Sequence, residues 1–311
     1  MFVKKTKDLQ GESVVLVSDI GAFSLSDTLE CGQAFRYELL SEDENGIEYM
    51  TVAFGKIIRV CQRGDELLFY GLTEDEVKTV CLPYFSLDTD YRVIKEDILK
   101  SSQISKLKEA ADAAEGIRIL RQDPWEALFS FIISQNNNIP RIRKIIRNIS
   151  SQYGKNLSEG GTCPKDRMPA TDERCRECGI CYTFPTPEDV LSNPEGLLPS
   201  KPGFRLKYLI DASERVASGE ISLKKIAEAG SAQHTIEELK RIKGVGDKVA
   251  SCVALFGFGN LEAFPIDVWM KRANEEYFGG ELHPESLGKY AGVAQQYIFH
   301  YIRNLDKNRD K

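Results

Sequence analysis

The 311-residue sequence predicts an α+β chain, a β-rich N-terminal part followed by an all-helical body. Two observations carry that reading. From about Ser13 to Tyr70 the chain is a succession of short β-prone runs with turn residues between them. Within it Ile47 to Phe54 partly alternates, and Lys56 to Val60 and Glu66 to Tyr70 are compact and β-rich. Thr73-Glu74-Asp75-Glu76 then has the form of a capping box, in which threonine and glutamate satisfy each other's free N–H groups. Beyond it the pattern is helical, with Tyr91 to Leu99 and Gln103 to Ala114 as expected helices. The domain boundary is expected near Gly116, giving a sheet domain over 1–116 and a helical domain over 117–305. No repeat or low-complexity tract interrupts either.

Inside the helical part, Asp123-Pro124 reads as a helix start, with aspartate as cap and proline in the first turn. Trp125 to Ile133 would form that helix, and Pro140 would open the next. Asn136-Asn137-Asn138 therefore falls at an interhelical turn, where short amides are at home.

Apolar residues make up 42% of the chain and charged residues 28%, ordinary values for a soluble globular protein. Met1 to Gln10 is basic but has no apolar run, so no signal peptide is expected. Val249 to Gly259, the longest apolar-looking stretch, is too short to span a bilayer. A cytoplasmic or nuclear protein with no membrane contact is expected, its eight cysteines reduced. The net charge of −6 argues against a nucleic-acid partner if read globally. Locally the balance reverses: Arg141, Arg143, Lys144 and Arg147 follow the asparagine turn, Lys240, Arg241 and Lys243 flank the glycine hairpin described next, and Lys271 and Arg272 follow Asp267.

Gly244-Val245-Gly246-Asp247-Lys248 and, nineteen residues after the lysine, Asp267 carry the chemistry. Two glycines one residue apart permit a tight turn and close backbone approach to a ligand. The helix that follows points free N–H groups and its positive dipole end outward, which suits a phosphate. Lys248 lies in its first turn, where the dipole disfavours a cation and should lower the amine's pKa. A neutral lysine is a nucleophile for electron-poor carbon. Asp267 precedes a helical stretch, Val268 to Phe278, as an N-cap whose carboxylate can face an amine or a developing cation. Read alone, the motif serves catalysis or mere DNA docking.

The arrangement resembles the helix-hairpin-helix DNA glycosylases, and within them the 8-oxoguanine branch. The usual hairpin is Leu-Pro-Gly-Val-Gly; here it is Ile242-Lys243-Gly244-Val245-Gly246, with lysine in place of proline. Gly244 and Gly246 keep the turn. The resemblance implies that Lys248 attacks the sugar and Asp267 stabilises the cationic sugar. Cys252, four residues after Lys248 on the same helix face, would pack on the extruded base. In Ala291 to Phe299, Gln295 and Phe299 are again four apart: the ring would stack and the amide would read the base edge. Without the resemblance, Phe299 reads as core and Gln295 as surface.

Cys31-Gly32-Gln33-Ala34-Phe35-Arg36 matches a third block of that branch. There the glycine carbonyl accepts a hydrogen bond from N7–H of 8-oxoguanine, a proton that guanine lacks. Leaving one buried polar group unpaired rejects a near-isostere strongly. Read alone, Gly32 is a bulge or strand-end glycine. The fourth block is Ser134 to Arg141. By resemblance its turn enters the duplex, and Asn136 and Arg141 hydrogen-bond the widowed cytosine. Phe204-Arg205 opens another helix; Phe204 would be the wedge, where tyrosine is more usual, and Arg205 a second cytosine reader. Trp269 stands where animal relatives usually carry histidine and is expected at the DNA.

The resemblance thus implies a TBP-like antiparallel sheet domain, then a helix-hairpin-helix glycosylase domain. The partner is duplex DNA containing 8-oxoguanine, the protein a monomer, and no cofactor is required. The activity implied is that of a bifunctional glycosylase and lyase in base excision repair. Two alternatives stand beside it: a monofunctional purine or alkylpurine glycosylase of the same fold, which normally lacks the hairpin lysine, and a non-catalytic helix-hairpin-helix DNA-binding module.

Lys155 to Cys181 lies outside the resemblance as an insertion. Cys163 and Cys175-Arg176-Glu177-Cys178-Gly179-Ile180-Cys181 put four thiols in a polar stretch, the composition of a structural zinc site. A redox pair or uncoordinated thiols are the other readings. No cysteine follows Cys252, so the iron–sulfur cluster of endonuclease III-type relatives is absent. Cys61 and Cys81 read as core or strand residues.

Overall fold

The computed structural model describes residues 1–101, 104–158, 162–163, 168–169 and 180–309, without the side chains of 162, 163, 168, 169 and 307–309. The N-terminal part is a six-stranded sheet in the order β1-β2-β6-β5-β4-β3. Its strands are β1 (Phe2–Lys7), β2 (Ser13–Ser18), β3 (Tyr37–Asp43), β4 (Gly46–Ala53), β5 (Lys56–Arg63) and β6 (Glu66–Tyr70). All neighbours are antiparallel. The expected α+β order therefore holds.

Two details depart from the sequence reading. β1 was not expected: Phe2-Val3-Lys4-Lys5-Thr6-Lys7 has little apolar content, and it forms because β2 supplies a partner from Ser18 to Ser13. Its lysines suit an edge strand, where charge discourages further pairing. Between β2 and β3 lies a helix, α1 (Leu25–Glu30), capped by Ser24, whose side chain accepts from Asp27 N. Gly32 follows that helix with φ +85, so it is a helix-end glycine and not a strand-end one.

One sheet face packs Val15, Val17, Tyr49, Ile58, Val60, Leu67 and Phe69 onto Leu25, Leu29 and Phe85, and Leu120 closes this core. The capping box forms as read, with Thr73 and Glu76 each bonded to the other's backbone N–H. It opens α2 (Glu74–Glu76), which continues through a π turn (Val77–Cys81) into α3 (Leu82–Tyr84). Cys61 and Cys81 are buried, on β5 and in that π turn.

Helices α4 (Tyr91–Ser101) and α5 (Ser105–Ala113) bury Ile94, Ile98 and Leu107 in the second, helical core. That core is organised around α6 (Pro124–Ser134), capped by Asp123 with proline in its first turn. Every residue from Ala127 to Ile133 is buried, the mark of a central helix. Around it lie α7 (Ile139–Tyr153), α8 (Pro187–Ser192), α9 (Leu206–Ala217), α10 (Leu223–Ala229), α11 (Ala232–Leu239), α12 (Asp247–Phe256), α13 (Val268–Tyr277) and α14 (Ala291–Arg309). Phe131 of α6 stacks on Phe256 of α12, with centroids 5.4 Å apart. A two-stranded ribbon, β7 (Thr162–Cys163) with β8 (Met168–Pro169), falls in the insertion. Among the described residues no helix is long and apolar enough to cross a membrane.

Candidate active site

Lys248 and Asp267 reach one place from two helix starts. Gly246 is the N-cap of α12 and puts Lys248 at its second position. Asp267 caps α13 as expected, its Oδ1 accepting from Met270 N at 2.8 Å. Both residues line a cavity of about 540 Å³ whose wall also includes Gly32, Phe299 and Trp269. Lys248 Nζ lies 5.6 Å from the centroid of the Phe131 ring, so the amine sits against apolar surface in a cavity whose wall Asp267 shares. A second cleft, about 610 Å³, runs on from the first between Gly246, the asparagine turn and Ile266, and again takes in Lys248, Asp267 and Trp269.

The hairpin is held from behind. Gly244 has φ +81, and a Cβ there would overlap the Tyr208 ring of α9. The same ring meets Phe204 edge-on, with centroids 6.1 Å apart. Lys243, in the proline position of the usual pattern, donates its backbone N–H to Asp211 Oδ2 at 2.8 Å, a bond that proline could not make.

Gly32 and Phe299 face each other across the cavity wall: a Cβ on Gly32 would meet Phe299 at 3.9 Å and Ile139 at 3.7 Å. The neighbouring Gln33, fully buried, fixes this turn. Its Nε2 donates to Thr28 O at 2.8 Å and Arg118 O at 2.7 Å, and its Oε1 accepts from Leu120 N at 2.8 Å.

Other expected site residues stand differently. Cys252 and Gln295 are buried, 4% exposed each, and neither lines the cavity. Burial pushes the Cys252 thiol up to about 11, against an opposing pull from Lys248. Gln295 accepts from Gln296 Nε2 at 2.7 Å. Phe204 is exposed. Arg205 is 3% exposed and turned inward, bonding the carbonyls of Gln135, Asn136 and Pro202. Burial, and Arg141 nearby, hold its guanidinium below the usual value. Arg141 itself is exposed, and Asn136 takes a left-handed φ of +46 in the second cleft.

Several basic residues counted toward DNA binding already have carboxylate partners: Lys240 with Asp247, Arg241 with Glu238, Arg272 with Asp306. Arg272 joins a group the sequence did not announce. It lies 5.1 Å from the Trp269 ring centroid and 2.8 Å from Asp306, which lines the cavity that holds Lys248.

Cys175 and Cys178 lie outside the described residues, and the Cys163 side chain is not described. Cys181 is buried with Met50, Val52 and Ile180. Among the described residues no group of three or more His, Cys, Asp or Glu side chains could hold a metal ion.

Residues 15–128 match the model of the 8-oxoguanine DNA glycosylase N-terminal domain. The chain is similar to an N-glycosylase/DNA lyase of Saccharomyces cerevisiae, 29% identical over 81% of this chain and 68% of the relative. It is also similar to an N-glycosylase/DNA lyase of Arabidopsis thaliana, 27% identical over 88% and 75%. The crystal structure of Clostridium acetobutylicum 8-oxoguanine glycosylase/lyase, in complex with duplex DNA containing cytosine opposite 8-oxoguanine, superimposes with a TM-score of 0.82. That protein is 36% identical and the match covers 98% of this chain and 99% of its own. With likeness of that degree along both whole lengths, the chain belongs to the 8-oxoguanine DNA glycosylase/lyase family.

Proposed function

We propose that this chain removes 8-oxoguanine from duplex DNA and then nicks the strand. The observation that carries the reading is the convergence of Lys248 and Asp267, from two helix starts, on a cavity walled by Gly32 and Phe299. Lys248 Nζ attacks C1′ as the glycosidic C–N bond breaks, and the base departs with the bonding electrons. The cationic character that develops at the sugar lies near the Asp267 carboxylate, which stabilises it electrostatically. Loss of a proton from nitrogen and opening of the sugar leave a Schiff base between Lys248 and C1′. Removal of a C2′ proton then expels the 3′ phosphate by β-elimination.

The Gly32 carbonyl checks for a proton on N7 and Phe299 stacks on the base. Cys252 and Gln295 reach the base only if the cavity adjusts, since neither lines it as it stands. Phe204 fills the gap left in the duplex; Asn136 and Arg141 read the opposite cytosine. Arg205 acts there through the asparagine turn, by holding its carbonyls. Gly244 and Gly246 bring the hairpin backbone to a phosphate, and Trp269 flanks the same strand. The chain acts wherever the DNA is, in a nucleoid or a nucleus. A zinc ion on Cys163, Cys175, Cys178 and Cys181 rests on composition and spacing alone, and metal analysis of the purified protein tests it.

Borohydride trapping on a duplex with 8-oxoguanine opposite cytosine tests the reading. A covalent adduct from the parent and none from Lys248→Gln is the expected result. An abasic product without adduct would make the enzyme monofunctional, and binding without any product would leave a docking module.

A further inference from the structure

A third cleft, about 680 Å³, opens on the solvent side of α7, and Ile139 and Pro140 line both it and the cavity that holds Lys248. Its floor is basic. Arg143 and Arg147 both donate to one oxygen, Oε2 of Glu38 on β3, the first at 2.7 Å. Arg143 also bonds Tyr37 O and lies 4.2 Å from the Tyr37 ring centroid, which fixes the plane of its guanidinium. Arg143 Nε is buried and has no hydrogen-bond partner, a donor left over. Lys144, exposed, lines the same cleft. Three cations therefore face a single carboxylate in a protein whose net charge is −6.

We propose that this cleft is a phosphate-backbone subsite, taking the sugar–phosphate chain of duplex DNA beside the flipped nucleotide. The inference rests on the DNA reading above and deepens it. Two guanidinium groups converging on one carboxylate oxygen present the geometry that suits a phosphate, which also accepts from several donors at once. Glu38 keeps the two arginines side by side and lowers the local charge. Binding to undamaged duplex is thereby held down, and the pair stays poised when a phosphate arrives. The sheet domain contributes through Glu38 and Tyr37 and the helical domain through α7, so the subsite exists only where the two meet.

Affinity for a fluorescent duplex, undamaged or carrying 8-oxoguanine, measured from 50 to 200 mM salt, tests this. Lys144→Gln removes an exposed cation that holds no structural partner, and should cut the logarithmic salt slope by about 0.9 and weaken binding roughly three- to sixfold near physiological salt. Lys144→Gln/Arg147→Gln should cut the slope by roughly twice that. Glu38→Gln should tighten binding to undamaged duplex and steepen the slope. Slopes and affinities unchanged in the Lys144 and Glu38 variants, with a parent that binds duplex and forms the adduct, overturn the subsite alone. A parent that binds no duplex overturns the DNA reading beneath it.

Discussion

Arg205 and Asn136, 69 positions apart, are joined by a bond of 2.8 Å from the guanidinium to the asparagine carbonyl, and Arg205 Nε donates to Gln135 O at the same length. The turn is held by this buried arginine together with its own amides: Asn137 Nδ2 donates to Ile133 O at 3.1 Å and Asn138 Oδ1 accepts from Arg141 N at 3.0 Å. Arg205→Ala should cost about 2–4 kcal/mol, because it strips a charged donor from three carbonyls at once, one buried and two partly buried. Arg205→Lys should recover only part, since an ammonium cannot fork across two carbonyls. Urea denaturation of both variants checks this; a loss within 0.5 kcal/mol of zero for Arg205→Ala would refute it.

Gly32 sits at φ +85 beside Phe299. Gly32→Ala should destabilise the fold by about 1–2 kcal/mol, the usual cost of a left-handed L-residue. Its effect on excision should be larger, on the order of 10²-fold, because the carbonyl proposed to test N7 moves with the backbone. Melting and single-turnover kinetics on the same variant separate the two. Equal, small effects on both would show that the carbonyl plays no part.

Burial pushes the Cys252 thiol up to about 11, while an unfolded thiol titrates at about 8.5. The fold therefore favours the protonated form. That contribution to stability is complete below the unfolded value and is lost as pH rises toward the folded one. At pH 8 iodoacetamide should leave Cys252 unmodified in the native protein and label it in denaturant. Peptide mass spectrometry reads the result, and rapid native labelling would show the thiol to be ionised and open.

Glu76 moves the opposite way. Lys56 beside it, then the Thr73 cap, hold its carboxyl down at about 2. Its contribution is present above the unfolded carboxylate value of about 4.3 and is lost as pH falls through the folded value. Glu76→Gln should lower stability by about 1 kcal/mol at pH 6, a typical loss for a helix cap, and by progressively less toward pH 2. Denaturant titrations at pH 6 and pH 2.5 test the convergence.

What the sequence made legible was local. The capping box at Thr73, the Asp123-Pro124 start, the hairpin glycines and the Asp267 cap each lie within a few residues, so spacing alone specifies their geometry. Cys252 shows the limit. Its spacing from Lys248 places both on one side of α12, but packing decides how deep each lies, and Cys252 lies beneath the wall. The Trp269–Arg272–Asp306 group joins two helices 34 residues apart and leaves no local trace. Nor does the bond from the Lys243 backbone N–H to Asp211, which a proline in that position would lose. β1 was hidden for the converse reason: its lysines argue against a strand until β2 offers them a partner.

Tyr208 sets a length. One face of its ring lies against the Gly244 turn and its edge meets Phe204. The hairpin turn and the exposed Phe204 ring, proposed above as phosphate grip and wedge, therefore share one mount, and the span between them cannot be adjusted separately at either end. On the function proposed above, a duplex must match that gauge to engage both.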